Sequence, residues 1–168
     1  MKKHIAIITA AVMAFSLTAC NRSENKSGLK DTKKAAFENS QSVEIANPYT
    51  ALNSSEEIEK QLGIKIDAPR GADDIEYAVV DGTLADIRFS FGGDPYTLRA
   101  SKADSDISGL FGEEVSSERL DNAILTTVQS GSETYLKLTW TDGEAHYSLT
   151  DTENGNADKL KEVYALLK

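Results

Sequence analysis

Three stretches of strict alternation constrain this chain more than any other feature. Ile75, Tyr77 and Val79 alternate with Glu76 and Ala78. Ala85, Ile87, Phe89 and Phe91 alternate with Asp86, Arg88 and Ser90, and beyond Gly92-Gly93-Asp94-Pro95, Tyr96, Leu98 and Ala100 alternate with Thr97 and Arg99. A period of two places one set on an apolar face and the other on a polar face of a sheet. A one-residue slip in pairing would turn every side chain over. A two-residue Asp81-Gly82 turn would oppose odd and even positions, so a three-residue connection with a glycine bulge is expected. A four-residue loop over 92–95 would pair Phe91 with Tyr96, Phe89 with Leu98 and Arg88 with Arg99.

The second half repeats this logic. Ala123 to Gln129 has strand character between an Asp121-Asn122 turn and Ser130-Gly131-Ser132. Glu133 to Thr150 is the clearest hairpin, with Asp142-Gly143 as its expected turn. That turn would set Trp140 opposite Ala145, Leu138 opposite Tyr147 and Leu136 opposite Leu149, leaving Lys137, Thr139, His146 and Ser148 on the other face.

Helices bracket the strands. Ser54 and Glu57 have capping-box spacing, Ile58 and Leu62 share one helical face, and Gly63 is placed to end that helix. Near the C-terminus Asn156 precedes a Leu160/Val163/Tyr164/Leu167 stripe at helical spacing. The expected fold is therefore α+β: an antiparallel β-meander of about five to seven strands with a short N-terminal helix and a C-terminal amphipathic helix.

The first residues have a different character. Lys2, Lys3 and His4 precede an apolar run from Ile5 to Leu17, too short for the about 20 residues a spanning helix needs. Leu17-Thr18-Ala19-Cys20 closes it and resembles the lipobox of bacterial lipoproteins. The resemblance implies a signal peptide over 1–19, removal of that segment, and a diacylglyceryl group on the thiol of Cys20. It implies an acylated protein (the palmitate class of anchor) held at the extracytoplasmic face of the cell membrane; two or more acyl chains hold firmly where one does not. A secreted protein with a cysteine beside its cleavage site is the alternative.

Cys20 is the only cysteine, so once it is lipidated no disulfide, thiolate metal site or cysteine nucleophile remains. Residues 20–46, rich in Asn, Ser, Lys and Glu, have the composition of a tether with a span of roughly 28 Å. Residues 47–168 form the expected single domain, with 11 basic and 23 acidic side chains, a net of −12 that exceeds the whole chain's −9. Such a domain repels nucleic acid and stands off anionic lipid.

Asn47-Pro48-Tyr49 with Ser55-Glu56-Glu57, and the late Trp140-Thr141-Asp142-Gly143 hairpin before a terminal helix, are similar to a group of uncharacterised bacterial extracytoplasmic lipoproteins carrying a domain of unknown function. That resemblance covers 47–168 and implies no catalytic residues.

The candidate chemistry is sparse. His146 is the one histidine beyond the signal segment, but no Gly-x-Ser-x-Gly elbow accompanies it, and a strand histidine facing solvent needs no further role. Asp104-Ser105-Asp106-Ile107-Ser108-Gly109 imitates half a calcium loop, yet the twelfth position is Val115 where a bidentate carboxylate is normal. A solvated acidic loop explains 104–114 as well as weak calcium binding does. Asp73-Asp74 and Glu113-Glu114 are carboxylate pairs that an acidic domain produces by chance. Arg88 and Arg99, with Lys102 close by, are cations on an acidic surface; two like charges in opposition need neutralising, either by Glu76 and Asp86 or by an anionic partner. The expected function is a non-catalytic binding or regulatory module without metal or cofactor, its partner an envelope protein or a small ligand. An extracytoplasmic hydrolase is the alternative.

Overall fold

Alternating stretches joined by turns of two or three residues can only stack as neighbours, and they do. A computed structural model describes residues 47–151, 153 and 155–168, so the expected signal segment, Cys20 and the expected tether lie outside the described residues. The elements are β1 (Tyr49–Leu52), α1 (Ser55–Leu62), β2 (Asp73–Val80), β3 (Leu84–Phe91), β4 (Asp94–Ser101), β5 (Glu113–Leu120), β6 (Ala123–Ser130), β7 (Glu133–Asp142), β8 (Ala145–Asp151) and α2 (Ala157–Leu166). The eight strands form one antiparallel sheet in the order β1-β2-β3-β4-β8-β7-β6-β5. Two meanders thus meet at a central β4–β8 seam. The strand count exceeds the expected five to seven because β1 and β5, the two edges, carry no alternation.

Register follows the faces. Val80 pairs with Leu84 and Tyr77 with Ile87 across a three-residue connection, in which Asp81 and Gly82 both take positive φ. This is the expected bulged turn. The next hairpin turns on Gly92-Gly93 alone, so Phe89 pairs with Tyr96 and Ile87 with Leu98. The 133–150 hairpin turns at Gly143-Glu144, so Trp140 pairs with Tyr147, Leu138 with Leu149, and Thr141 rather than Thr139 with His146. The first hairpin is two residues tighter than a four-residue loop requires, and the second keeps a two-residue turn one position later than Asp142-Gly143, so partners shift by two in both. An even slip preserves faces and changes only partners.

One row across the apolar face runs Leu125, Leu138, Leu149, Leu98, Ile87 and Tyr77. The helices cover this face, α1 over β1–β3 and α2 over β7 and β8, and their Ile58, Leu160 and Val163 join Ile87, Leu98 and Leu138 in one core. Asn156 caps α2 with its side-chain oxygen at 3.1 and 3.2 Å from the amides of Asp158 and Lys159. The stripe is buried at Leu160, Val163 and Tyr164. Gly63 ends α1 in the left-handed region and returns its N–H to Glu59 O at 2.8 Å. The capping box does not form: Ser54 occupies the N-cap without a side-chain bond to a helix amide, and the Glu57 carboxylate accepts instead from the Asn53 amide at 2.9 Å. Among the described residues no helix is long and apolar enough to cross a membrane.

Candidate functional site

The polar face is not a flat solvated surface. Beside the leucine row, on the opposite side, lies a row of Arg119, Ile124, Thr139, Ser148, Arg99 and Asp86. The next holds Ser117, Thr126, Lys137, Thr150, Thr97 and Arg88. Asp86, Ser101, Thr126, Lys137, Ser148 and Thr150 are all buried. The cover over part of this face is the 102–112 segment that links the two meanders. It is held from beneath by side chains of both.

Arg99 supplies the first hold. Its Nε donates to Asp86 Oδ2 at 2.7 Å, and its Nη1 donates to the carbonyls of Ser108 at 3.0 Å and Ile107 at 3.4 Å. Gly109 lies so close that a Cβ there would come within 1.9 Å of Nη1, and its φ of +71° is one that side-chain-bearing residues avoid. Asp86, 1% exposed, uses its other oxygen to accept from Arg88 Nε at 3.1 Å. One buried carboxylate therefore serves two guanidinium groups.

Lys137 supplies the second. Its ammonium donates to Asp106 at 2.7 Å and Glu114 at 2.8 Å while its side chain is 7% exposed. Burial alone would push this lysine down, but hydrogen bonds to the two carboxylates outweigh it and hold the ammonium above the ordinary lysine range. The Asp106 carboxyl shows the reciprocal effect: burial would raise it, and the bonds from Lys137 and Ser108 hold it below the ordinary range. The half calcium loop is thus organised by an ammonium group, and Asp106 also accepts from the Ser108 amide at 2.9 Å.

These contacts correct the expected cation site. Arg88 stands opposite Thr97, and Arg99 opposite Asp86, because the tighter hairpin moves the partner of each by two positions. Arg99 is consumed by Asp86 and loop carbonyls. Arg88 is half exposed, donates to Tyr49 Oη at 2.9 Å and lies 5.3 Å over the Tyr49 ring. Lys102 sits away from both, with Nζ beside Gly63 at the end of α1. Asp74 and Asp73 lie near the start of β2, and among the described residues no three of His, Cys, Asp and Glu cluster to hold a metal ion.

Where the 102–112 cover stops, a groove of about 590 Å³ opens on the same face. Ser105, Asp106 and Ile107 line one side and Glu114, Ser117 and Arg119 the other. The floor consists of Ile124, Thr126, Lys137, Thr139, Thr141 and His146. The His146 ring meets the Thr141 hydroxyl at 3.4 Å, and among the described residues it contacts no carboxylate. Hydroxyl groups that donate and accept, an ammonium fixed by two carboxylates and an arginine at the edge give the groove a lining rich in hydrogen-bonding groups.

Sequence reasoning misses this groove because it treats off-face positions as solvated. A signal was present. In the central strands those positions are Thr97, Ser101, Thr126, Thr139, Ser148 and Thr150, short hydroxyls in place of the Lys and Glu that a solvated face carries.

No protein-family model matches the chain, and no curated protein or solved structure is significantly similar to it.

Proposed function

We propose that this chain is a lipid-anchored extracytoplasmic binding module, tied to the membrane through Cys20 and working through the polar face of its sheet. The observation that carries the reading is the groove beside the 102–112 segment. Its volume of about 590 Å³ falls within the range of small-ligand sites. Its floor is set by ion pairs to buried Lys137, so a ligand or a partner's side chain would meet a surface already organised for it. The lipobox-like Leu17-Thr18-Ala19-Cys20 supports the anchor, and the tether composition of 21–46 supports a domain held off the bilayer. The excess of carboxylates over 47–168 disfavours nucleic acid as the partner. The contact of His146 with a threonine rather than a carboxylate favours binding over catalysis.

Two measurements test this. Cys20→Ser is expected to remove the protein from the membrane fraction; a variant processed and retained as before would end the anchor reading. A photoreactive side chain at Ser117 or Thr139 of the anchored chain is expected to crosslink to an envelope component in intact cells, and one at Glu162 is not. Crosslinks from α2 but not from the groove would move the working surface to the other face.

A further inference from the structure

On the helix-covered face, between α1 with the segment after it and the C-terminal end of α2, lies a second cavity of about 450 Å³. We propose that it is a site for a small organic cation, an ammonium group carried on a compact apolar body. The cavity shares Trp140 and Tyr147 with the polar groove but none of that groove's carboxylates.

The floor comes first. Leu98, Trp140 and Tyr147 line the cavity from strands β4, β7 and β8. Trp140 stacks on Tyr147 with centroids 5.3 Å apart and planes 7° from parallel, and meets Tyr164 edge-on at 4.9 Å. Tyr147 Oη donates to Lys65 O at 3.0 Å, tying the aromatic pair to the cavity wall. The rings are therefore held before any ligand arrives. The outer member of this cluster already takes a cation, since Lys168 Nζ lies 4.7 Å over the Tyr164 ring.

The rim is strongly one-sided. Glu56, Glu59, Asp67 and Asp142 face a single ammonium, that of Lys65. On an acidic domain carboxylates alone would mean little; here they surround aromatic and aliphatic surface. The phenols register the field. Burial, then Asp142, raises the Tyr147 hydroxyl. Tyr77, which donates to Asp67 at 3.0 Å, is pushed up to about 12 by burial, that bond, and the charges of Asp67 and Glu56. The last turn of α2 contributes Leu166 to the cavity and carries no basic residue; the cation that follows it, Lys168, is drawn over the Tyr164 ring. An anion would be repelled here, and a neutral apolar molecule would gain contact area only. A cation gains both the aromatic lining and the carboxylates.

Trp140 is the only tryptophan and lines both this cavity and the polar groove, so its emission reports binding and variants of carboxylates that line this cavity alone assign it. The test is a titration of the full chain, in nonionic detergent, with choline and with its neutral isostere 3,3-dimethylbutan-1-ol, with calorimetry alongside. Choline is expected to give a saturable emission change, and the isostere to bind about tenfold more weakly. Glu59→Gln with Asp142→Asn, both exposed and so safe for folding, is expected to weaken choline by a similar factor at an unchanged melting temperature. Equal affinity for the isostere, an unaffected double variant, or no saturation by either method would each overturn the proposal.

Discussion

The two faces of this sheet are buried by different physics. The helix-covered face is closed by non-directional packing, in which Leu138, Leu149, Ile87, Ile58 and Leu160 are all 0% exposed. The opposite face is covered in part by one crossing segment held by Arg99, itself anchored on buried Asp86, and by buried Lys137. Apolar contacts tolerate repacking and lose energy in proportion to volume. Buried charges tolerate nothing that removes one partner alone. The same sheet therefore has a compliant side and a brittle side.

The sharpest way to break this comparison is Asp86→Ala. It leaves Arg99 and Arg88 without their shared carboxylate, and unfolding free energy is expected to fall by about 3–5 kcal/mol. Replacing Asp86 and Arg99 together by leucine and methionine is expected to cost less than Asp86→Ala alone, because no charge is left buried. Denaturant melts of both variants check this, and equal costs would mean that the polar face is no more brittle than the other. On the apolar face, Leu138→Ala is expected to cost about 2–5 kcal/mol without loosening the 102–112 segment. Hydrogen exchange in that segment is the control. Gly109→Ala should cost about 1–2 kcal/mol for its backbone alone, and, by displacing Arg99, should accelerate exchange at 107–109 while leaving α1 and α2 protected.

The smallest effect concerns pH. The depressed Asp106 carboxyl stabilises the fold above the unfolded value of about 3.9, and that contribution is lost as pH falls through its lower folded value. The raised Lys137 ammonium stabilises below about 10.4, and that contribution is lost as pH rises through its higher folded value. Protection of the 104–110 amides should therefore be flat between these limits and fall outside them. At neutral pH, Asp106→Asn should reproduce the acid behaviour. Protection that titrates near neutrality would mean that this ion pair does not hold the segment.

Faces were legible in the sequence and partners were not. Period-two alternation assigns each side chain to a side, and every even slip of register satisfies it equally, so Leu138 could face Tyr147 or Leu149 with no penalty visible in one dimension. The choice fell to the turns, where Gly92-Gly93 close one hairpin two residues early and Gly143-Glu144 close the other one residue late, the glycines taking positive φ. Edge strands escaped for the opposite reason. Nearly all of β5 is exposed, so neither side of Glu113–Leu120 needs apolar residues, and its charges suit a guarded edge. The helix ends were local, and the Gly63 and Asn156 caps read directly. The seating of Asp106 on Lys137 spans 31 residues, and nothing in a charge run shows which distant ammonium will meet it.

The seam has a consequence for the order in which the chain can assemble. Every neighbouring pair in the sheet except β4–β8 is adjacent along the chain or, for β1 and β2, separated by α1 alone. The two meanders can thus zip from nearby contacts, whereas Leu98 and Leu149 must find each other across the whole second half. Closing that circuit is the slow, entropically expensive encounter. The linking segment lowers its cost, because Arg99 before it and Lys137 after it both grip the 106–108 stretch. Once gripped, the segment acts as a jig that brings one finished half edge-on to the other. Substitutions that free it, such as Gly109→Ala, should then slow refolding as well as weaken the native state.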